Sequence, residues 1–159
     1  IGENLSIRRF ARFESEGLVE KYIHGDGKIA VLVNMKNADS VLAKDICMQI
    51  AAANPLFLSE NEVDSKALET EKEIYRAQAL NEGKPEKIVE KMVEGRLKKF
   101  YKEICLAEQA FIKDGDINVT TYVANNGGEL ISMTRFKVGE GIEKRQENFA
   151  EEVMGQISK

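Results

Sequence analysis

The apolar residues of this chain change period twice, and few folds accommodate both changes. Up to Met35 they alternate; from Ser40 to Ile104 they recur every third or fourth position; from Leu130 to Val138 they alternate again. Alternation puts neighbouring side chains on opposite faces of a strand, whereas the longer spacing lines one face of a helix. Three extended runs come first. Leu5 to Glu14 sets Leu5, Ile7, Ala11 and Phe13 against Ser6, Arg8 and Arg12, which predicts a half-buried strand. Leu18 to His24 and Lys28 to Met35 flank Gly25-Asp26-Gly27, a hairpin signal because glycine tolerates the positive φ of a tight turn. In the third run Ile29, Val31, Val33 and Met35 share one face while Ala30 and Leu32 make the other apolar, so this strand is expected to be central.

The helical stretch divides at its own punctuation. Asp39 or Ser40 can cap a helix carrying Leu42, Ile46, Ile50 and Ala53, which Asn54-Pro55 ends. Ser59 and Glu62 have capping-box spacing ahead of a charged helix from about Asp64. That helix stops at Gly83, and Pro85 opens the next, a two-helix corner. In the second helix Ile88, Val89, Met92, Val93, Leu97, Phe100, Tyr101 and Ile104 fall on one side, with most charges elsewhere. The pair is predicted to pack antiparallel as a protruding hairpin, with Met92, Leu97, Phe100 and Tyr101 in its seam. A short helix from Asn118 to Val123, a turn at Asn126-Gly127-Gly128, the strand Leu130–Val138 and a final helix marked by Ile142, Phe149, Val153 and Ile157 complete the chain. This order predicts an α+β fold, with helices packed on one face of an antiparallel sheet. The last strand is expected to pair with the first, since both are rich in Arg and Phe. Residues 1–62 then form the sheet and first helix, 63–105 an inserted helical hairpin, and 106–159 the rest of the core.

Composition narrows function mainly by exclusion. The net charge is −4, against broad nucleic-acid binding, and no apolar run is long enough to span a bilayer. With one histidine and two distant cysteines, Cys47 and Cys105, the chain offers no metal-ligand spacing, and both thiols read as reduced core residues. Gly139-Glu140-Gly141 follows no βαβ unit and reads as a loop, not a nucleotide fingerprint. No nucleophile with a base is evident, so we expect no enzyme, no cofactor and no catalytic residue. The chain opens on Ile1 without Met, which leads us to expect a fragment or a processed product.

Several stretches in the expected order resemble the translation elongation factor Ts family. They are Ile1-Gly2-Glu3-Asn4 running into Ile7-Arg8-Arg9-Phe10, Tyr22-Ile23-His24-Gly25 before Ile29-Ala30-Val31-Leu32-Val33, and Arg135 to Lys144. Most specific is Gly83-Lys84-Pro85 continuing to Phe100, which is similar to the family's coiled-coil hairpin. The family's N-terminal helical module and its Thr-Asp-Phe-Val motif have no counterpart; the place after the hairpin reads Asn37-Ala38-Asp39-Ser40. The resemblance therefore implies the part that grips elongation factor Tu and supports dimerisation, in the cytoplasm of a bacterium or an organelle matrix. Exchange of guanine nucleotide on Tu is the implied function, and a dimerising structural module without exchange activity is the alternative.

The same resemblance nominates contact residues. His24 matches the family's histidine at a hairpin tip, although read alone it is an exposed loop histidine. Ile1 and Gly2 match positions that touch Tu, and as terminal residues they are equally open to fraying. Phe111 and Ile112 follow Gln109-Ala110 where the family has Gln-Pro-Phe, and an apolar pair in a loop can equally tuck into its own core.

Overall fold

The structure, a computed structural model, describes residue 2 and residues 7–141. Ile1 and the expected final helix lie outside the described residues. Strand β1 (Leu18–His24) and strand β2 (Ile29–Lys36) form the expected antiparallel hairpin, running from Leu18 opposite Met35 to His24 opposite Ile29. Gly25, Asp26 and Gly27 all take positive φ, and the Lys28 amide donates to the Gly25 carbonyl to close the turn. Helix α1 (Ser40–Ala53) follows, capped by the Asp39 carboxylate, which accepts from the Leu42 amide at 2.8 Å. It ends on Asn54 in the left-handed region, immediately before Pro55.

Helices α2 (Ser65–Asn81) and α3 (Glu86–Ile104) are joined across Gly83, at φ 72°, and Pro85. They pack on each other through Ala79, Val89, Val93 and Leu97, with Leu68, Tyr75, Met92 and Tyr101 at the margin. Arg76–Glu90 and Arg96–Glu82 ion pairs bridge them outside that seam. The next elements are β3 (Ala110–Phe111), β4 (Asp114–Asn118), α4 (Val119–Asn125) and β5 (Glu129–Lys137). The result is α+β: β1, β2 and β5 make one antiparallel sheet with β2 in the middle, as its two apolar faces predict, and β3 and β4 make a second, smaller one.

The main core lies between α1 and one face of the large sheet. Val31, Val33 and Met35 meet Leu42, Ile46, Cys47 and Ile50 there, and Leu106, Phe111, Val119 and Val123 close its far side. Both thiols are buried and free. The opposite sheet face carries Val19, Ile23, Ala30, Leu32 and Phe136.

Three sequence expectations fail. Residues 7–14 form no strand: β5 pairs with β2, from Ile29 opposite Lys137 to Lys36 opposite Glu129. The alternation breaks at Arg9, whose guanidinium instead lies over the Phe136 ring and pairs with Glu140 at 3.0 Å, while Arg8 donates to the Glu140 and Gly141 carbonyls. Side chains rather than a ladder hold this segment, and Ile7 and Phe10 are left at the surface. The final strand therefore lies beside the first segment in space without pairing to it. The Ser59 capping box also does not form. Glu62 accepts from the Leu58 amide at 2.7 Å, and Glu60–Glu62 is a short 3₁₀ turn with no side-chain bond from Ser59. Phe111 belongs to a strand and to the core, not to a loop.

Candidate protein-interaction site

The tip of the β1–β2 hairpin is where sequence and geometry converge. Strand alternation puts Tyr22 and His24 on the α1 side of the sheet and Ile23 on the open side. Tyr22 packs against the main core, so the strand is anchored two residues before the tip. His24 is exposed, and its Nδ1 lies 3.0 Å from the Tyr22 hydroxyl, with the ring centroids 5.8 Å apart. On the open side Ile23 is 62% exposed and faces Ala30 across the ladder, and Ala30 in turn faces Phe136. Val138, 72% exposed, continues this row, its amide donating to the Lys28 carbonyl at 2.8 Å. An imidazole on one side of a tight turn and a row of uncovered apolar side chains on the other can dock a protein; they supply no acid–base pair for bond chemistry.

Two arginines meet at the end of β5 from opposite sheet faces: Arg9 lies over Phe136 on the open face, and Arg135 is on the α1 face. Glu140 sits between Arg9 and Arg135, with Arg135 Nη1 at 3.8 Å, and the Arg9 hydrogen bond holds the Glu140 carboxyl below the usual range. Arg135 is nearly enclosed and donates weakly, at 3.5 Å, to the Ala51 carbonyl near the end of α1, where a cation is favoured by the helix dipole.

The other nominated residues do not join the tip. Ile112 lies in the β3–β4 turn and is 49% exposed; its amide donates at 2.8 Å to Gln49 of α1. Phe111 is 2% exposed and stacks on Tyr122 at 3.8 Å between centroids, so its side chain has no surface to offer. Gly2 is exposed with φ 75°. Among the described residues no hydrogen bond or ion pair connects His24 with Ile112. The turn bearing Ile112 is locked to α1 by Asp45, a buried carboxylate that accepts from Lys113 Nζ at 2.6 Å and the Tyr122 hydroxyl at 2.8 Å. Burial and the Asp45 bond push the Tyr122 hydroxyl's pKa up. Sequence reading missed the Tyr22–His24 bond, although the spacing of two within a strand announces a shared face. It also missed the meeting of Arg9 and Arg135 at Glu140, which depends on a contact between residues far apart in sequence.

Among the described residues no group of three His, Cys, Asp or Glu side chains could hold a metal ion, and no helix is long and apolar enough to cross a membrane. Burial raises the pKa of Cys47 to about 12 and of Cys105 to about 11, so neither is a ready nucleophile.

Known proteins extend this picture. A family model described as "Elongation factor TS" matches residues 1–140. The chain is 56% identical to "Elongation factor Ts" of Clostridium acetobutylicum, over 99% of this chain and 55% of that protein. Against the protein of the same name from Clostridium perfringens strain 13 the identity is 59%, over 96% of this chain and 54% of the relative. For Clostridium botulinum strain Eklund 17B it is 56%, over 100% and 56%. The chain thus spans about half the length of the curated relatives it matches.

Proposed function

The chain belongs to the elongation factor Ts family, and from that premise we propose that it is a Tu-binding part of a guanine-nucleotide exchange factor, acting in the bacterial cytoplasm. Exchange of this kind requires no catalytic side chain and no cofactor. It requires a surface that binds the nucleotide-free form of the partner more tightly than the GDP form, because a ligand shifts an equilibrium only by differential affinity. By linkage, GDP then weakens Ts binding by the same factor as Ts weakens GDP binding.

The observation that carries this reading is the exposed His24 at a closed turn of three consecutive positive-φ residues, hydrogen-bonded to Tyr22, which packs against the core. A side chain held by an intramolecular hydrogen bond loses less entropy on docking than a free one, and binding energy concentrates in a few interface positions. We propose His24 as the principal Tu contact, with Ile112 and the Ile1-Gly2 end as secondary ones; Phe111 acts only by supporting its neighbour.

The test is titration of Tu carrying a fluorescent GDP. His24→Ala should cost about 1–2 kcal/mol of binding, roughly five- to thirtyfold in affinity. Its denaturant midpoint should correspond to a stability change below about 0.5 kcal/mol, since the residue is exposed. Unchanged affinity for that variant would remove His24 from the interface. A homodimer through the open sheet face is the second reading, favoured by the uncovered Ile23, Ala30 and Val138. A monomer by sedimentation at micromolar concentration would dispose of it.

A further inference from the structure

We infer that Tyr22 is a positioning residue that holds the His24 imidazole in one tautomer and one orientation, so that Nε2–H is the donor offered to a partner. The inference rests on the reading of His24 as a contact with Tu. Two ring nitrogens share one proton in neutral imidazole, and the hydrogen bond made by one decides the state of the other. Here Nδ1 is engaged by the Tyr22 hydroxyl at 3.0 Å, and among the described residues Nε2 has no hydrogen bond. A phenol is a better donor than acceptor, which makes Nδ1 the acceptor and leaves the proton on Nε2.

Geometry makes Tyr22 suited to this role. Residues i and i+2 of a strand point to the same side, and this pair ends the strand at the turn. The partly buried Tyr22 ring packs against the core, which restricts where its hydroxyl can lie. His24 has no comparable packing and would otherwise sample several rotamers, each lowering the fraction of chains ready to bind. The tilted rings, 36° between planes, are set for an edge hydrogen bond and not for stacking.

Tyr22→Phe removes the hydroxyl and keeps the ring, so folding should persist. In the full chain at about pH 8, ¹⁵N–¹H spectra of His24 should show the Nε2–H form and slow ring averaging. In Tyr22→Phe the two tautomers should mix and the ring should average faster. Affinity for Tu should fall about three- to tenfold, as for loss of one hydrogen bond, and only while His24 is present. His24→Gln, whose amide nitrogen can occupy the Nε2 place, should retain part of the affinity and become insensitive to Tyr22→Phe. Unchanged His24 spectra in Tyr22→Phe would overturn the inference whatever the affinity does. An equal loss of affinity in the His24→Ala background would also overturn it, because Tyr22 would then act by itself. A spectral change with no affinity loss, together with an inert His24→Ala, would instead overturn the contact reading and leave the pairing of the two rings standing.

Discussion

At the scale of single residues, close approach and burial matter more than residue type. Gly17 precedes β1, and a Cβ there would lie 2.4 Å from the Met35 carbonyl oxygen, a backbone atom that cannot swing aside. Gly17→Ala should therefore shift the chain at the Asn34–Met35 bulge and cost about 1–3 kcal/mol. A denaturant melt with unchanged midpoint would refute this. Asp45 is a second such position, since its buried carboxylate depends on Lys113 and Tyr122. Lys113→Ala leaves it with one donor, and a loss of about 1–2 kcal/mol is expected, less than for a fully buried pair because Lys113 is half exposed. The thiols set a pH limit. Both are raised in the folded chain, from about 9 to about 12 for Cys47 and to about 11 for Cys105, so between those values the unfolded chain binds fewer protons than the folded one. The thiols' contribution to stability is then fully present below about pH 9 and is lost as pH rises towards 12. Cys47→Ala should flatten that alkaline decline in melts taken across the window.

At the scale of elements, the described residues form two packing centres that share no residue. The α2–α3 seam forms one, and the sheet with α1, β3 and α4 forms the other. They are joined where the Ile104 carbonyl accepts from the Leu56 and Phe57 amides, Phe57 bridges Cys105, and the buried Gln109 side-chain amide donates to the Glu103 carbonyl at 3.0 Å. We propose that residues 63–105 are a separable insertion. Replacing Leu68–Glu103 by a short linker, with Ile104 retained, should leave the three-stranded sheet folded and Tu binding through His24 measurable. Loss of the cooperative melt in that deletion would make the helical pair part of one core.

At the scale of the whole molecule, surface and length decide. The 159 residues correspond to about 55% of the relative from Clostridium acetobutylicum. We expect this stretch to bind Tu yet to release GDP more slowly than a full-length relative at equal occupancy, because differential affinity gathers over an entire interface. Stopped-flow release at saturating concentrations of each would check it, and equal rates would show that the remaining length adds nothing to exchange.

Much of this was legible in the sequence because it depends on neighbours along the chain. The 25–27 turn follows from local φ demands, the α1 boundaries from Asp39 and Asn54-Pro55, and the break between α2 and α3 from Gly83 and Pro85. The central place of β2 is visible as apolar residues on both faces. His24 at a turn was visible too, because turn chemistry is written in adjacent residues. Tertiary structure alone decided what the first segment does: β5 pairs on one side with β2, and the segment meets its far end through Arg8 and Arg9 side chains, which contact Phe136, Glu140 and Gly141, and not through a backbone ladder. It alone buried Phe111 and exposed Ile112, adjacent apolar residues, because strand β3 points one towards Tyr122 and the turn leaves the other outside. Periodicity reports which side chains share a face; which face finds a partner depends on contacts that no local pattern encodes.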